Sequence, residues 1–336
     1  QPAQPGEFTR TAFVNGKLDL SQAEAVADLI RARSDGALRA AQRQLDGELG
    51  RRVQEFSEML LQIQAEVEAY IDFPEEDLPA ERPGGPRALM AELAAAVEKL
   101  LATARYGTLL REGASAVIAG PPNAGKSSLL NALLGRPRAI VSPEPGTTRD
   151  FLEERFLAGP YSIQITDTAG LREEPLDAVA GEGVLRSLEK ITAAGFLLLV
   201  IVSTQAPPTL PKSVVDVIHP NNTLVLENKT DLSCSIPRNS FLAECKHVRL
   251  SLKTGDGLPI LNYELVSALE KSYALPHEEL VLTSVRHVEA LGRSQSALKM
   301  AAQKLAEKAP AELVASDLRQ AFEAMGEIIG RVENEA

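Results

Sequence analysis

One octapeptide constrains the fold of this chain more than any other feature: residues 120–127 read Gly-Pro-Pro-Asn-Ala-Gly-Lys-Ser. This is the pattern Gly-x-x-x-x-Gly-Lys-Ser, in which backbone N–H groups wrap a phosphate, the lysine reaches the β- and γ-phosphates, and the serine hydroxyl can ligate Mg²⁺. The apolar run Ala114–Gly120 predicts a buried strand before the loop, and Ser127–Leu134 predicts a helix after it. The sequence therefore predicts a phosphate-binding loop between a strand and a helix.

A second motif follows at the spacing that a Mg²⁺-nucleotide site needs. Asp167-Thr-Ala-Gly170 comes directly after the apolar run Ile163–Thr166. A strand there would deliver a carboxylate that reaches Mg²⁺ through water and a glycine that senses the γ-phosphate. Thr147 and Thr148 lie between the two motifs and are placed to supply a switch threonine. The predicted Mg²⁺ ligands are Ser127, Thr148 and, through water, Asp167.

Two further motifs predict recognition of guanine. Asn228-Lys-Thr-Asp231 follows the strand-like run Thr223–Leu226, and Ser251-Leu-Lys253 comes next. A carboxylate at Asp231 can accept hydrogen bonds from guanine N1 and N2, which adenine does not offer, and a backbone amide of 251–253 can meet guanine O6. The chain is therefore predicted to bind GTP and GDP. The predicted nucleotide-binding residues are Asn123, Ala124, Gly125, Lys126, Ser127, Ser128, Thr147, Thr148, Asp167, Gly170, Asn228, Lys229, Asp231, Ser251, Leu252 and Lys253.

Composition excludes several other classes of protein. A chain of 336 residues allows two or three domains, and its net charge of −11 argues against broad electrostatic capture of nucleic acid. Only Cys234 and Cys245 are present, with no histidine at ligand spacing, which excludes a disulfide framework and a cysteine-based zinc site. The longest apolar run, Phe196–Val202, is too short to span a bilayer and predicts a central strand.

Hydrophobic periodicity predicts the order helical, α/β, helical, with domains at 1–113, 114–273 and 274–336. The pair Ser21 and Glu24 reads as a capping box that opens a helix ending near Arg33. One long helix of about ten turns is predicted from Ser34 to Pro74, because apolar residues recur at steps of three and four. Another helix is predicted over 89–111, and two more are predicted after Pro276, separated near Pro310.

These elements predict an α/β P-loop GTPase domain inserted into an all-α helical bundle. The sheet would be mostly parallel, with helices on both faces, because strands and helices alternate between residues 114 and 273. The last two helices cannot bury their apolar stripes alone, so we expect them to pack on the long N-terminal helix. The alternative for residues 38–70 is a free-standing coiled coil.

Beyond these motifs, the sequence closely resembles the MnmE/TrmE family of tRNA-modification GTPases over nearly its whole length. The segments that carry the resemblance are Pro5–Arg10, Ala12–Leu20, Gln22–Ile30, Gln44–Leu49, Ala69–Phe73, Pro122–Ser128, Pro145–Asp150 and Asp167–Glu173. The family has a helical bundle interrupted by a GTPase domain. The resemblance therefore implies the same architecture that the periodicity predicts.

The resemblance implies a more specific function than the nucleotide motifs do. With an FAD-dependent GidA/MnmG-type subunit, the family installs an aminomethyl-type group on carbon 5 of the wobble uridine of tRNA, using a folate one-carbon unit. It implies K⁺-dependent GTP hydrolysis in a GTPase-domain homodimer, with Asn123 at the family's K⁺ position and residues 140–147 completing that site. It implies contact with tRNA through the complex, no membrane association, and a location in the bacterial cytoplasm or the mitochondrial matrix.

Three departures from the family pattern bear on activity. Leu171 stands where many GTPases have a water-orienting Gln, and Ala180 stands where the family has a switch II Glu. Glu182 is a weak substitute for that catalytic carboxylate, so we expect weakened hydrolysis with nucleotide binding intact. Residues 1–336 do not include the family's N-terminal folate-binding domain or its C-terminal cysteine tail.

Two alternative functions stay open at this point. A GTP-gated interaction module with little or no turnover is favoured by the residue at the family's switch II Glu position. That residue is Ala180 when the position is counted back three from Gly183, and Val179 when it is counted forward twelve from Asp167. Neither side chain can position or activate water. A ribosome-assembly GTPase would share the phosphate loop and switch style. That alternative is disfavoured by the net charge of −11, because such proteins usually carry a basic RNA-binding face.

Overall fold

The computed structural model describes residues 2–72, 85–135, 154–165, 195–210, 212–232, 241–273 and 280–330. The chain divides into two compact units. A helical unit comprises Gln1–Ala32, Ala37–Arg111 and Pro276–Ala336, and an α/β unit comprises Arg33–Gly36 and Glu112–Leu275. The α/β unit thus interrupts the helical one along the chain, which confirms the predicted fold class.

The described elements alternate as a mainly helical first part, a mixed middle part and a helical last part. The helices are α1 Glu7–Val14, α2 Leu20–Arg31, α3 Asp35–Leu45, α4 Glu48–Asp72, α5 Pro86–Ala102, α6 Ala104–Glu112, α7 Lys126–Leu134, α8 Lys212–Val215, α9 Leu258–Tyr273, α10 Val285–Ala306 and α11 Ala311–Ile329. The strands are β1 Ala114–Ala119, β2 Glu154–Ala158, β3 Tyr161–Ile165, β4 Gly195–Val202, β5 Thr223–Asn228 and β6 Lys246–Arg249.

The apolar stripe of α4 forms the centre of the helical unit. Its buried side chains, spaced by three and four residues, pack with those of α5, α10 and α11 in one hydrophobic core. Ion pairs between Arg293 and Glu327 and between Lys304 and Asp317 show that α10 and α11 run antiparallel. Of the last two helices, α11 therefore packs directly on α4 as predicted, whereas α10 packs on α11 and α5. The free-standing coiled coil is wrong. The α4 stripe consists of Leu49, Val53, Phe56, Leu60, Ile63 and Val67.

The predicted capping box at Ser21 and Glu24 is wrong. Helix α2 begins earlier, because Asp19 is its N-cap: the Asp19 carboxylate accepts the Gln22 N–H at 2.8 Å, and the Gln22 side chain accepts the Asp19 N–H at 3.0 Å. The Ser21 hydroxyl donates to the Asp19 carboxylate at 2.6 Å. Glu24 is thereby free to make a tertiary contact with Arg286.

Two helices that the pattern predicts as continuous are broken. The predicted helix after Ser34 ends at Leu45 and resumes at Glu48, because Gly47 has φ +80, a left-handed conformation that ends a helix. The predicted helix over 89–111 begins at Pro86 and breaks at Thr103. The Thr103 hydroxyl donates to the Leu100 carbonyl at 2.7 Å and accepts the Leu282 N–H at 3.0 Å. Both breaks preserve the apolar stripe, so periodicity alone does not reveal them.

Gly107 in α6 supplies the first prediction, because a side chain there has no room. An added Cβ would lie 1.8 Å from the Leu282 carbonyl oxygen, a backbone atom that a rotamer change cannot move. We expect Gly107→Ala to lower the free energy of unfolding by about 3 kcal/mol, measured by urea denaturation. Gly292→Ala is the control, since its Cβ meets nothing within 4 Å, and it should be neutral or stabilising by about 1 kcal/mol. Equal effects of the two substitutions would contradict the packing described.

A partly buried ionic group ties α2 to α10 and α11. The Arg286 guanidinium donates to Glu24 at 2.7 Å and to the backbone carbonyls of Glu327 and Ile328 at 2.6 and 3.0 Å. The imidazole of His287, which is fully buried, lies 3.0 Å from the Glu24 carboxylate. Burial opposes the charge on Glu24, but the hydrogen bonds from His287 and Arg286 outweigh it and lower the pKa of Glu24 from 4.5 to about 2.

This depressed pKa predicts how stability depends on pH. A carboxylate whose pKa is lower in the folded state contributes stability above its unfolded value, here 4.5, and loses that contribution as the pH falls towards 2. We expect the free-energy difference between the wild type and Glu24→Gln to be constant above pH 4.5 and to shrink between pH 4.5 and 2. Glu92→Gln, at an exposed site on α5, is the control and should change little. A difference that grows on acidification would contradict the ion pair.

The α/β unit contains a six-stranded sheet in the order β2-β3-β1-β4-β5-β6. All neighbours are parallel except β2 and β3, which form an antiparallel hairpin. Strand β4 lies between β1 and β5 and is buried along its whole length, as predicted for a central strand. Parallel order brings the carboxyl ends of β1, β4 and β5 to one edge, where the loops that follow them can form a site. Within the described parts of the chain, no helix is long and apolar enough to span a bilayer.

Candidate nucleotide-binding site

The loop between β1 and α7 follows a path that its glycines make possible. Gly120 has φ +147, and an added Cβ would lie 2.1 Å from the Val200 carbonyl oxygen in β4. Gly125 has φ +102 and is the N-cap of α7, so a side chain there would be strained as well. The helix begins at Lys126, and the N–H groups of its first turn have no intrahelical acceptor. The chain thus forms a concave backbone cradle at a helix N-terminus, which suits a phosphate anion.

Lys126 closes the base of this cradle. Its ammonium donates to the carbonyls of Gly120 and Pro121, both at 3.0 Å, so the side chain folds back along the loop. Burial lowers the pKa of Lys126. A phosphate beside the ammonium would favour the charged form, because an opposite charge at short range offsets the desolvation. The position of Lys126 therefore fits a role in holding phosphate.

Asn228, at the end of β5, joins the phosphate loop to the loop after β6. Its side-chain amide donates to the Ala124 carbonyl at 2.8 Å, and its side-chain oxygen accepts the Leu252 N–H at 3.2 Å. The side chain is only 3% exposed, and a Cβ on Gly125 would lie 2.3 Å from its amide nitrogen. Asn228 therefore fixes the spacing between the two loops. We call these contacts the Asn228 tie.

The Asp231 carboxylate is exposed and is oriented by one neighbour. The buried Ser251 hydroxyl donates to Asp231 Oδ1 at 2.8 Å, and the Ser251 N–H donates to the Asp256 carbonyl at 2.9 Å. Thr254 stabilises the same turn, since its hydroxyl donates to the Asp256 carboxylate at 2.7 Å. A carboxylate held at one oxygen and open to solvent can accept hydrogen bonds from a planar base.

One residue of this region has no counterpart in the sequence predictions. The hydroxyl of Ser203, just past β4, donates to the Lys229 carbonyl at 3.0 Å, and its N–H donates to the Asn228 carbonyl at 2.8 Å. Lys229 has φ +65, a conformation that its neighbours must hold in place. The sequence signal that could have indicated Ser203 is its position directly after the apolar run of the central strand β4, at the edge of the sheet where the other motifs lie.

The predicted site residues fall into two groups. Those on described elements gather at one edge of the sheet, and of these Asn123, Ser127, Ser128, Asp231 and Lys253 are exposed. The others, together with the loop 140–147, lie outside the described residues. The described ones are Asn123, Ala124, Gly125, Lys126, Ser127, Ser128, Asn228, Lys229, Asp231, Ser251, Leu252 and Lys253. Those outside are Thr147, Thr148, Asp167, Gly170, Ala180 and Glu182.

Two of the predicted metal ligands, Ser127 and Asn123, lie on described residues beside the cradle. Ser127 lies in the first turn of α7 with an exposed side chain, beside the cradle, where a hydroxyl ligand for Mg²⁺ would have to be. Asn123, at the exposed tip of the loop with φ +59, is placed where its side chain can reach a bound anion or ion. In the residues that the structure describes, no three His, Cys, Asp or Glu side chains gather into a metal site.

A cradle at the start of α7, joined through Asn228 to a solvent-facing carboxylate, defines the class of P-loop nucleotide-binding proteins. The family model described as MnmE helical domain matches residues 20–336. A protein of Opitutus terrae named tRNA modification GTPase MnmE is 45% identical over 346 residues, which cover 100% of this chain and 74% of that protein. The chain therefore belongs to the MnmE family of tRNA modification GTPases.

Other known proteins are similar to the chain to different extents. A Chlorobium phaeovibrioides protein with the same name is 40% identical over 338 residues, which cover 98% of this chain and 71% of that protein. Among solved structures, the G domain of the T. maritima FeoB iron transporter is 25% identical, covers 48% of this chain and 99% of its own, and superposes with a TM-score of 0.32. The family assignment rests on the family model and the relatives.

Proposed function

We propose that this chain binds and hydrolyses GTP as a component that modifies the wobble uridine of tRNA at carbon 5. The observation that carries the nucleotide part is the Asn228 tie, because it joins a phosphate cradle to the loops that bear Asp231 and Ser251. The tRNA part is supported by family membership and by the printed names of the relatives.

The phosphate end of the site has a specific division of roles. Lys126 and the backbone amides of the loop hold the β- and γ-phosphates, and the Ser127 hydroxyl and Thr148 ligate Mg²⁺, with Asp167 reaching the ion through water. Bound Mg²⁺, and K⁺ held with the help of Asn123, would supply positive charge against the charge that develops on the phosphates. The exposed positions of Ser127 and Asn123 beside the cradle support these roles.

The base end of the site selects guanine. Asp231 accepts from guanine N1 and N2, and Ser251 fixes the carboxylate through the 2.8 Å hydrogen bond. Lys229 lies between the tie and this carboxylate, with its backbone held by Ser203. Adenine presents an unprotonated N1 and no 2-amino group, so it would leave the carboxylate unpaired. The same loop thus provides both affinity and discrimination.

The family relation supports the finer proposals on partners and location. The chain acts with an FAD-dependent GidA/MnmG-type subunit, reaches tRNA through that complex, and pairs its GTPase domain with that of a second copy during hydrolysis. A bacterial cytoplasmic location is supported by the bacterial relatives. Co-purification with a flavoprotein rather than with ribosomal subunits distinguishes this proposal from a ribosome-assembly GTPase.

Single-turnover GTP hydrolysis at high protein concentration, in K⁺ and in Na⁺, tests the enzymatic proposal. Because Ala180 stands at the position of the family's catalytic Glu, we expect the wild type to be slow in both salts. Ala180→Glu should raise the rate by about 100-fold in K⁺ alone, because a positioned carboxylate can activate water.

Ala178→Glu, two residues away, is the matched control and should not raise the rate. A wild type that is already fast in K⁺ would show that another carboxylate serves, and the expectation of weakened hydrolysis would be wrong. If the wild type shows no turnover in either salt, the chain is better described as a GTP-gated interaction module, and the enzymatic proposal is wrong.

A further inference from the structure

Helices α10 and α11 line an open groove of about 1020 Å³ on the surface of the helical unit. Each helix contributes one stripe of residues at helical spacing, and the polar side chains at the rim are exposed. We call it the α10–α11 groove. Its lining from α10 is Glu289, Gly292, Arg293, Ser296, Ala297 and Met300, and its lining from α11 is Gln320, Glu323, Ala324 and Glu327.

The floor of the groove consists of small residues. Ala297 and Ala324 are buried at its base, and Gly292 lies beside them in the interior of a 22-residue helix. No packing in the described structure requires that glycine, because an added Cβ would meet nothing within 4 Å. Glycine in a helix interior costs about 1 kcal/mol relative to alanine. Gly292 therefore lowers the stability of α10, and its structural effect is to open the groove.

The length of the groove, the exposed methionine at one end and the small residues on its floor are suited to a docked helix. Residues 289–300 span about 16 Å along α10, which is about three helical turns. Met300 lies at one end with 51% of its surface exposed, and a flexible thioether adapts to varied apolar partners. Small residues on a floor allow another helix to approach closely, in ridges-into-grooves packing.

The charge of the rim selects among possible occupants. Three glutamates face one arginine, and the arginine is already paired, since Arg293 binds Glu327. Glu289 and Glu323 are exposed. An acidic rim repels nucleic acid and anionic lipid and attracts a cationic partner, which also gains association rate from the field.

We infer that the α10–α11 groove docks a basic amphipathic helix of a partner protein. The helix presents apolar residues at i, i+3 or i+4, and i+7 to the small-residue floor, and lysine or arginine residues to Glu289 and Glu323. This interaction belongs to the helical unit and does not depend on the proposed nucleotide function.

A synthetic helical peptide tests the inference directly. The probe has about 18 residues, with leucines at i, i+3, i+4 and i+7 and lysines on both flanks, and a second peptide carries glutamates in place of the lysines. Binding to the full chain is followed by fluorescence anisotropy. We expect saturable binding of the basic peptide alone, weakened about tenfold between about 50 mM and 500 mM salt.

Two kinds of variant locate the binding. Gly292→Leu places a bulky side chain on the floor of the groove. The double variant Glu289→Lys with Glu323→Lys reverses the charge of the rim. Each variant should lower the affinity for the basic peptide by about tenfold or more. The matched control, Glu92→Lys with Glu98→Lys on α5, changes net charge equally and should leave affinity unchanged. Thermal unfolding verifies that each variant is folded.

Several outcomes would overturn the inference. Equal binding of the acidic peptide, equal loss in the α5 control, or unchanged affinity in both groove variants would show that the peptide binds elsewhere. A wild type that dimerises in sedimentation, together with a monomeric Gly292→Leu, would show that the occupant is a second copy and not a basic helix of another protein.

Discussion

Replacement of Asp231 by asparagine is expected to lower GTP affinity by about 100-fold or more and to improve binding of xanthosine triphosphate. Asparagine keeps the oxygen that accepts from Ser251 at 2.8 Å, so the loop is preserved. Its amide nitrogen then faces the N–H groups of guanine, and a charge-assisted pair of hydrogen bonds becomes a clash of donors. Xanthine carries a carbonyl at C2, which accepts a hydrogen bond from that amide.

Equilibrium titration with fluorescent GDP, competed by GTP and xanthosine triphosphate, measures this change in selectivity. Asp256→Asn is the matched control, because that carboxylate is exposed in the neighbouring turn and accepts from Thr254. The control should keep the affinity for GTP. If Asp231→Asn also kept it, the assignment of base recognition to this carboxylate would be wrong.

Loss of the Asn228 tie is the second large effect. Asn228→Ala removes the donor to the buried Ala124 carbonyl and the acceptor for the half-buried Leu252 N–H, so both backbone groups lose these partners. We expect the free energy of unfolding of the α/β unit to fall by about 3 kcal/mol. Affinity for GTP and for GDP should fall by about tenfold or more, because the phosphate and base loops lose their fixed spacing.

Asn222 provides a control with matched chemistry. Its side chain also makes two hydrogen bonds to backbone, accepting from His219 and donating to Val217, but in a turn before β5. Asn222→Ala should reduce stability and leave nucleotide affinity unchanged. Equal loss of affinity in both variants would show that the effect of Asn228 is general destabilisation and not loop positioning.

Features that depend on local chemistry were predictable from the sequence. The phosphate loop demands glycine where φ is positive, and Gly120 and Gly125 have φ of +147 and +102. The continuous apolar run at 196–202 predicts a strand buried on both faces, which β4 is. The stripe of α4 cannot be buried without partners, so the bundle follows from it.

Features for which the sequence offers competing local signals, or which depend on contacts between distant residues, were not predicted. The break at Gly47 preserves the spacing of the stripe, so only the left-handed φ separates α3 from α4. Asp19 competes with Ser21 as the cap of α2, and Asp19 prevails because the Gln22 side chain returns its hydrogen bond. At the site, Ser203 acts through the backbone of Lys229, and no spacing rule connects positions 26 residues apart.

The β2–β3 hairpin was also not predicted, because it depends on the pairing between two strands. Its turn depends on Gly159, with φ +55, and on the pairing of Phe156 with Ile163 at the sheet edge. The sequence predicted an apolar run at residues 163–166 but not its antiparallel partner. A strand of five residues with mixed polarity becomes recognisable only beside the strand that it pairs with.

Competition of unlabelled GTP and ATP for fluorescent GDP on the wild-type chain tests the central claim most directly. A site that pairs an oriented carboxylate with guanine N1 and N2 predicts displacement by GTP at low micromolar concentration, and at least about 1000-fold weaker displacement by ATP. If ATP displaces the probe within about tenfold of GTP, the base loops do not read guanine, and the assignment of a guanine-specific site to this chain is wrong.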